Sequence, residues 1–131
     1  MSRHKPLRPT DAELSILRVL WLKGACTVRE VQDELNRQKP TGYTTVLKFL
    51  QIMTEKGLVT RDESKRSHVY SSKDSEDHTQ RHLVRDLIDR AFGGSTAKLI
   101  LQAVAVSDLK AEELNEIRRL LEVTAEAQVV S

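Results

Sequence analysis

The sequence predicts a mainly α fold with a small β-hairpin: an N-terminal winged helix-turn-helix plus a C-terminal helical dimerisation domain. Three observations carry this expectation. The stretch Thr41–Tyr70 reads as a helix that closes at Lys56-Gly57, followed by two short strand-like runs around a polar, basic turn. Two capping boxes open two further helices ahead of it. Charge also divides along the chain. Residues 1–73 hold 14 Lys+Arg against 8 Asp+Glu, a net +6, and residues 74–131 hold 7 against 11, a net −4. The expected domains are therefore 1–73, facing phosphates, and 74–131, serving assembly.

Taken in order, Thr10-Asp-Ala-Glu13 is the first capping box. Its helix carries Leu14, Leu17 and Trp21 on one face, with Ile16 and Leu20 adjacent, and should end near Gly24. Thr27-Val-Arg-Glu30 opens a second helix with Val28, Val31 and Leu35 inward, stopped by Pro40. Thr41-Gly42 turns into a third, with Val46, Leu50 and Met53 at helical spacing. Gly57 supplies the left-handed residue that closes it. Leu58-Val59-Thr60 and His68-Val69-Tyr70 read as strands, joined by the turn-prone Asp62–Ser67.

Past Lys73, a charged helix over Asp74–Phe92 carries Leu83, Val84, Leu87, Ile88 and Ala91 on one stripe. Gly93-Gly94 breaks it, and Ser95 caps a short helix through Leu99, Ile100, Leu101 and Val104. A last helix from about Lys110 places Leu114, Ile117, Leu121 and Thr124 at heptad-like spacing, and the tail from Ala127 should fray. Three short helices cannot bury this apolar surface alone, so a homodimer is expected.

At 131 residues, 31% charged and 4% aromatic, the composition is that of a soluble, helix-leaning chain. No apolar run approaches the ~20 residues that span a bilayer. No hydrophobic segment follows the basic start MSRHKPLRPT. A cytoplasmic protein without membrane insertion is expected. One cysteine, Cys26, excludes an internal disulfide and a Cys-cluster metal site. No Ser/His/Asp order, glycine-rich phosphate loop or carboxylate pair suggests catalysis, and no cofactor is expected.

A groove-reading helix needs polar side chains on its outer face near its N-terminus. Tyr43, Thr44, Thr45, Lys48 and Gln51 supply them: Thr and Gln can read base edges, and Tyr43 and Lys48 can reach phosphate. A plainer reading has Tyr43 and Thr44 only capping the helix. Lys65, Arg66 and His68 sit at the expected wing tip, beside the DNA backbone or minor groove. Arg3, Lys5 and Arg8 form a basic N-terminal arm. The partner these residues imply is double-stranded operator DNA.

Alternatives come from other residues. His78-x-x-x-His82 puts two imidazoles one helical turn apart, a spacing that can hold a metal, although structural zinc needs more ligands. Cys26 precedes a helix N-terminus, which favours a thiolate and a redox response. A winged helix can also bind protein instead of DNA.

The motifs together resemble the penicillinase repressor family. The carriers are Leu17-x-x-Leu20-Trp21, Val28-Arg29-Glu30-Val31, Tyr43-Thr44-Thr45-Val46, Glu55-Lys56-Gly57-Leu58-Val59 and a basic wing ending in Tyr70. The match covers about residues 8–125. The resemblance implies a homodimeric repressor whose winged helices bind a palindromic operator and whose C-terminal helices dimerise. It implies release by proteolysis, triggered by a membrane metalloprotease sensor or another protease, within a segment resembling Leu99–Val104. Some relatives carry Asn-Phe there; this chain carries Gln102-Ala103. Several relatives have Arg where this chain has Ile52. A copper-responsive branch carries C-terminal cysteine pairs, which this chain lacks.

Overall fold

The computed structural model of the chain describes residues 8–130. Arg3 and Lys5 of the expected basic arm lie outside them, and Arg8 is exposed. The described elements are α1 (Asp11–Lys23), β1 (Cys26–Thr27), α2 (Val28–Asn36), α3 (Tyr43–Lys56), β2 (Val59–Asp62), β3 (Val69–Ser72), α4 (Glu76–Ala91), α5 (Thr96–Val106) and α6 (Ala111–Val130). The chain forms two compact units, Met1–Val84 and Arg85–Ser131, the division falling inside α4.

Both capping boxes form. Thr10 Oγ1 accepts the Glu13 amide at 3.2 Å while Glu13 accepts the Thr10 amide at 2.9 Å. Thr27 and Glu30 repeat the exchange at 3.2 and 2.8 Å. The hydrogen bonds satisfy amides that have no partner inside the helix. Helix α3 ends at Gly57, with φ 80° and ψ 20°, and the Leu58 amide reaches back to the Met53 carbonyl. That closure needs the left-handed backbone glycine adopts without a Cβ penalty. It also commits the Leu58 amide to the helix, so β2 starts at Val59, one residue later than the sequence suggests.

The sheet has three antiparallel strands in the order β1-β3-β2. Cys26 lies opposite Tyr70 and Thr27 opposite Val69, while Arg61 and Asp62 of β2 face the same two residues from the other side. Strand β1 is absent from the sequence reading because two residues show no periodicity. The three helices and this sheet make the winged helix-turn-helix.

The core of the first unit is Ile16, Leu17, Val19, Leu20, Cys26, Val28, Val31, Val46, Leu50, Met53, Val59 and Tyr70. Helix α1 thus buries Ile16, Val19 and Leu20 more deeply than Leu14 and Trp21, which are half-buried. Trp21 stays at the margin because its indole N–H donates to Ser72 Oγ at 3.0 Å, tying α1 to β3.

Glu13 is buried as well, at 2% exposure. Its carboxylate accepts Lys56 Nζ at 2.9 and 3.1 Å, joining α1 to the last turn of α3 across 43 residues. Burial opposes the charge most strongly. The Thr10 amide and the Lys56 ammonium together outweigh burial and hold the carboxyl below its ordinary 4.5. Its contribution to stability is therefore complete above that value and lost as pH falls through the lower folded pKa. Glu13→Gln should lower stability by about 2 kcal/mol at pH 7. Urea unfolding should show the gap closing as pH falls below the ordinary carboxylate range, where the natural carboxyl also becomes neutral; a gap constant with pH contradicts this role.

In the second unit, α5 is capped by Ser95, whose Oγ accepts the Lys98 amide at 3.1 Å. Helix α6 continues to Val130, past the expected fraying at Ala127. The segment from Ala111 holds no Gly or Pro and is rich in Ala, Glu and Leu, so nothing in it ends a helix early. From Arg85 to Val129 no described residue is buried. No helix among the described residues is long and apolar enough to cross a membrane.

Candidate nucleic-acid interface

Helix α3 is placed by its inner face. Val46, Leu50 and Met53 are fully buried in the core, where α3 packs on α2 and β2, which turns Tyr43, Thr44, Thr45, Lys48 and Gln51 outward, all exposed. Its start is held by α2. Asn36 Oδ1 accepts the Thr41 amide at 2.6 Å, and Gln32 Nε2 donates to the Thr41 carbonyl at 3.2 Å. The N-cap is Gly42, with no side-chain capping bond. The reading in which Tyr43 and Thr44 merely cap the helix therefore gives way. Both lie inside the first turn with their side chains free of that task, and the first amides of α3 have no side-chain acceptor.

The hairpin carries the second group. Lys65, Arg66 and His68 are exposed, and His68 precedes β3 instead of starting it. The turn is stiffened from within: Asp62 Oδ1 accepts the Ser64 amide at 2.9 Å. The Ser64 hydroxyl first, and then that amide, hold the Asp62 carboxyl below the usual carboxylate range. Arg61 meets Glu63 Oε2 through both Nε and Nη2, each at 3.0 Å. The Tyr70 hydroxyl and the Glu63 carboxylate both favour the charged guanidinium. Among the described residues, no ion pair engages Lys48, Lys65 or Arg66. Ile52 is half-buried in α3 and adds no charge to its outer face.

Sequence reasoning missed Asn36 and Gln32 as supports of α3, Lys56 as the partner of Glu13, and the Arg61–Glu63 pair. Asn36 just ahead of a Pro-containing turn is a signal that could have found the first. The Glu13–Lys56 pair has no local signature.

The remaining predicted groups lie elsewhere. Leu87, Val104, Leu114 and Leu121 are exposed in the single copy; Leu83, Ile88, Ile100 and Ile117 are half-buried. Leu101, which the sequence places on the short helix, and Leu120 and Val123, which it does not single out, are exposed at 64%, 55% and 59% and enlarge this apolar surface. Gln102 and Ala103 are exposed and helical, within α5. His78 and His82 pack edge to face with ring centroids 4.6 Å apart. No third donor joins them, since no set of three or more His, Cys, Asp or Glu gathers among the described residues to hold a metal. Cys26 is buried, with its thiol donating to the Gly24 carbonyl at 3.3 Å. Burial pushes this thiol up, Glu30 and Glu34 add to that, and Lys23 opposes it. This is the reverse of the activation expected beside a helix N-terminus. A groove of about 350 Å³ between α1, α2 and the start of α4, lined by Val19, Trp21, Leu22 and Leu35 among others, contains none of the residues of α3 or the wing.

Comparison with known proteins fits this arrangement. The penicillinase repressor of Staphylococcus aureus is 22% identical over 118 residues, covering 90% of this chain and 94% of that protein. The transcriptional regulator BlaI of Mycobacterium tuberculosis is 29% identical over 118 residues, covering 89% and 85%. The crystal structure of the YusO protein from Bacillus subtilis shares the fold, with a TM-score of 0.53 at 19% identity over 91% of this chain and 76% of that one. The penicillinase repressor family model matches residues 9–123, most of the chain's length, and the chain belongs to that family.

Proposed function

We propose that the chain is a cytoplasmic, DNA-binding transcriptional repressor that works by occupancy and not by catalysis. Residues 1–73 read a half-site and residues 74–131 pair two copies, so that the homodimer occludes a palindromic operator. The observation that carries this is one surface pattern. Helix α3 turns Tyr43, Thr44, Thr45, Lys48 and Gln51 outward, and the nearby wing exposes Lys65 and Arg66, with these three cations in no ion pair among the described residues. Exposed cations that no carboxylate holds in an ion pair are available to displace counterions from phosphate. The relatives named above are a repressor and a transcriptional regulator, which supports the same reading.

Dimerisation is supported by the bare apolar side chains of α4, α5 and α6. Surface of that kind gains roughly 25 cal/mol per Å² on burial and is rarely left in water over a large patch. Release by a protease acting in α5 near Gln102 and Ala103, with a membrane metalloprotease sensor or another protease as partner, follows from the family likeness. Cutting there would separate the dimerising helices and return each head to half-site affinity.

Binding of duplex DNA measured against salt tests this reading. Lys48, Lys65 and Arg66, three cations per copy and six per dimer, predict a slope of log affinity on log salt near −5. Salt-insensitive, sequence-indifferent binding would instead favour a winged helix that engages protein.

A further inference from the structure

The hairpin contains more cations than it offers. Its charged residues are Arg61, Asp62, Glu63, Lys65 and Arg66. The two carboxylates are both engaged, but differently. Asp62 accepts the backbone amide of Ser64 and shapes the turn. Glu63 takes the guanidinium of Arg61 in a forked contact, Nε and Nη2 each at 3.0 Å. A guanidinium held by a carboxylate in that geometry has its Nε and Nη2 donors committed, so a phosphate must compete with the carboxylate for that edge. Arg61 is also fixed by register: it lies opposite Tyr70, whose side chain is buried. Lys65 and Arg66, two and three residues beyond Glu63, lie in no such pair among the described residues.

Resting on the DNA-binding reading above, we propose that Glu63 is a specificity-determining residue: it withholds Arg61 from the DNA backbone and so limits the sequence-independent affinity of the wing. Phosphate contacts strengthen binding to every sequence alike, whereas base contacts from α3 distinguish operator from bulk DNA. A cation kept out of the backbone leaves a larger share of the binding to α3. The carboxylate of Glu63 also repels phosphate directly.

The test uses the full chain and Glu63→Gln, with Glu122→Gln as a control that makes the same change in net charge on α6. Affinities are measured by fluorescence anisotropy for a selected operator and for a duplex of scrambled sequence, at several salt concentrations. Glu63→Gln should bind the scrambled duplex more tightly. Its slope should steepen by about 0.9 per copy, so that a four-fold rise in salt costs a copy of the variant about 3.5 times more affinity than the natural chain. The ratio of operator to scrambled affinity should fall. Glu122→Gln should change none of these. An unchanged slope in Glu63→Gln, or an equal change in Glu122→Gln, overturns the assignment to Glu63 and leaves the DNA-binding reading standing. Absence of salt-dependent DNA binding in the natural chain overturns both.

Discussion

Leu121→Glu should make the chain monomeric at low micromolar concentration and abolish tight operator binding. Leu121 is 47% exposed on α6, in the series with Leu114 and half-buried Ile117. A carboxylate there would have to enter an apolar contact without a partner, at a cost of several kcal/mol. Nothing in a single copy opposes the substitution, because the residue faces solvent there. Sedimentation equilibrium should give the monomer mass, and melting of the first unit should be unchanged. Operator affinity should drop about 10²- to 10⁴-fold, the advantage a second half-site provides when it binds at high effective concentration. Affinity for an isolated half-site should persist. A variant that stays dimeric would move the interface away from α6.

Lys48→Ala should weaken operator binding strongly while leaving the fold intact. Lys48 lies exposed between Thr45 and Gln51 on the outer face of α3, and no ion pair holds it among the described residues. Its loss removes no core contact, since Val46 and Leu50 on the opposite side carry the packing. A cation contacting guanine or phosphate contributes about 1–3 kcal/mol, and a dimer loses it at both half-sites. Anisotropy titration should therefore show a loss of roughly 30-fold or more, with an unfolding midpoint within experimental scatter of the natural chain. Comparing scrambled and operator duplexes separates two roles: equal losses mark a phosphate contact, and a larger loss on operator marks base reading.

The parts of this protein that sequence reasoning finds are those whose physics is local. A capping box closes within four residues, so α1 and α2 are legible at their starts. The left-handed stop at Gly57 is legible because glycine is the residue that adopts it freely. The outer face of α3 follows from where Val46, Leu50 and Met53 point. What escapes is non-local or very short. Strand β1 exists only because Cys26 and Thr27 find Tyr70 and Val69. Glu13 reads as a capping residue and is one, but its burial and its bond to Lys56 depend on how α3 crosses α1. Cys26 shows the opposite failure. Its position before a helix suggests a reactive thiolate, yet enclosure in the core decides its chemistry.

Selecting bound duplexes from a random pool with the full chain tests the central claim most directly. A dimer presenting two copies of α3 predicts an inverted repeat, its half-sites centred about one helical turn apart. Recovery of a lone half-site, or of no repeated sequence at all, would contradict the account of this chain as a dimeric operator-binding repressor.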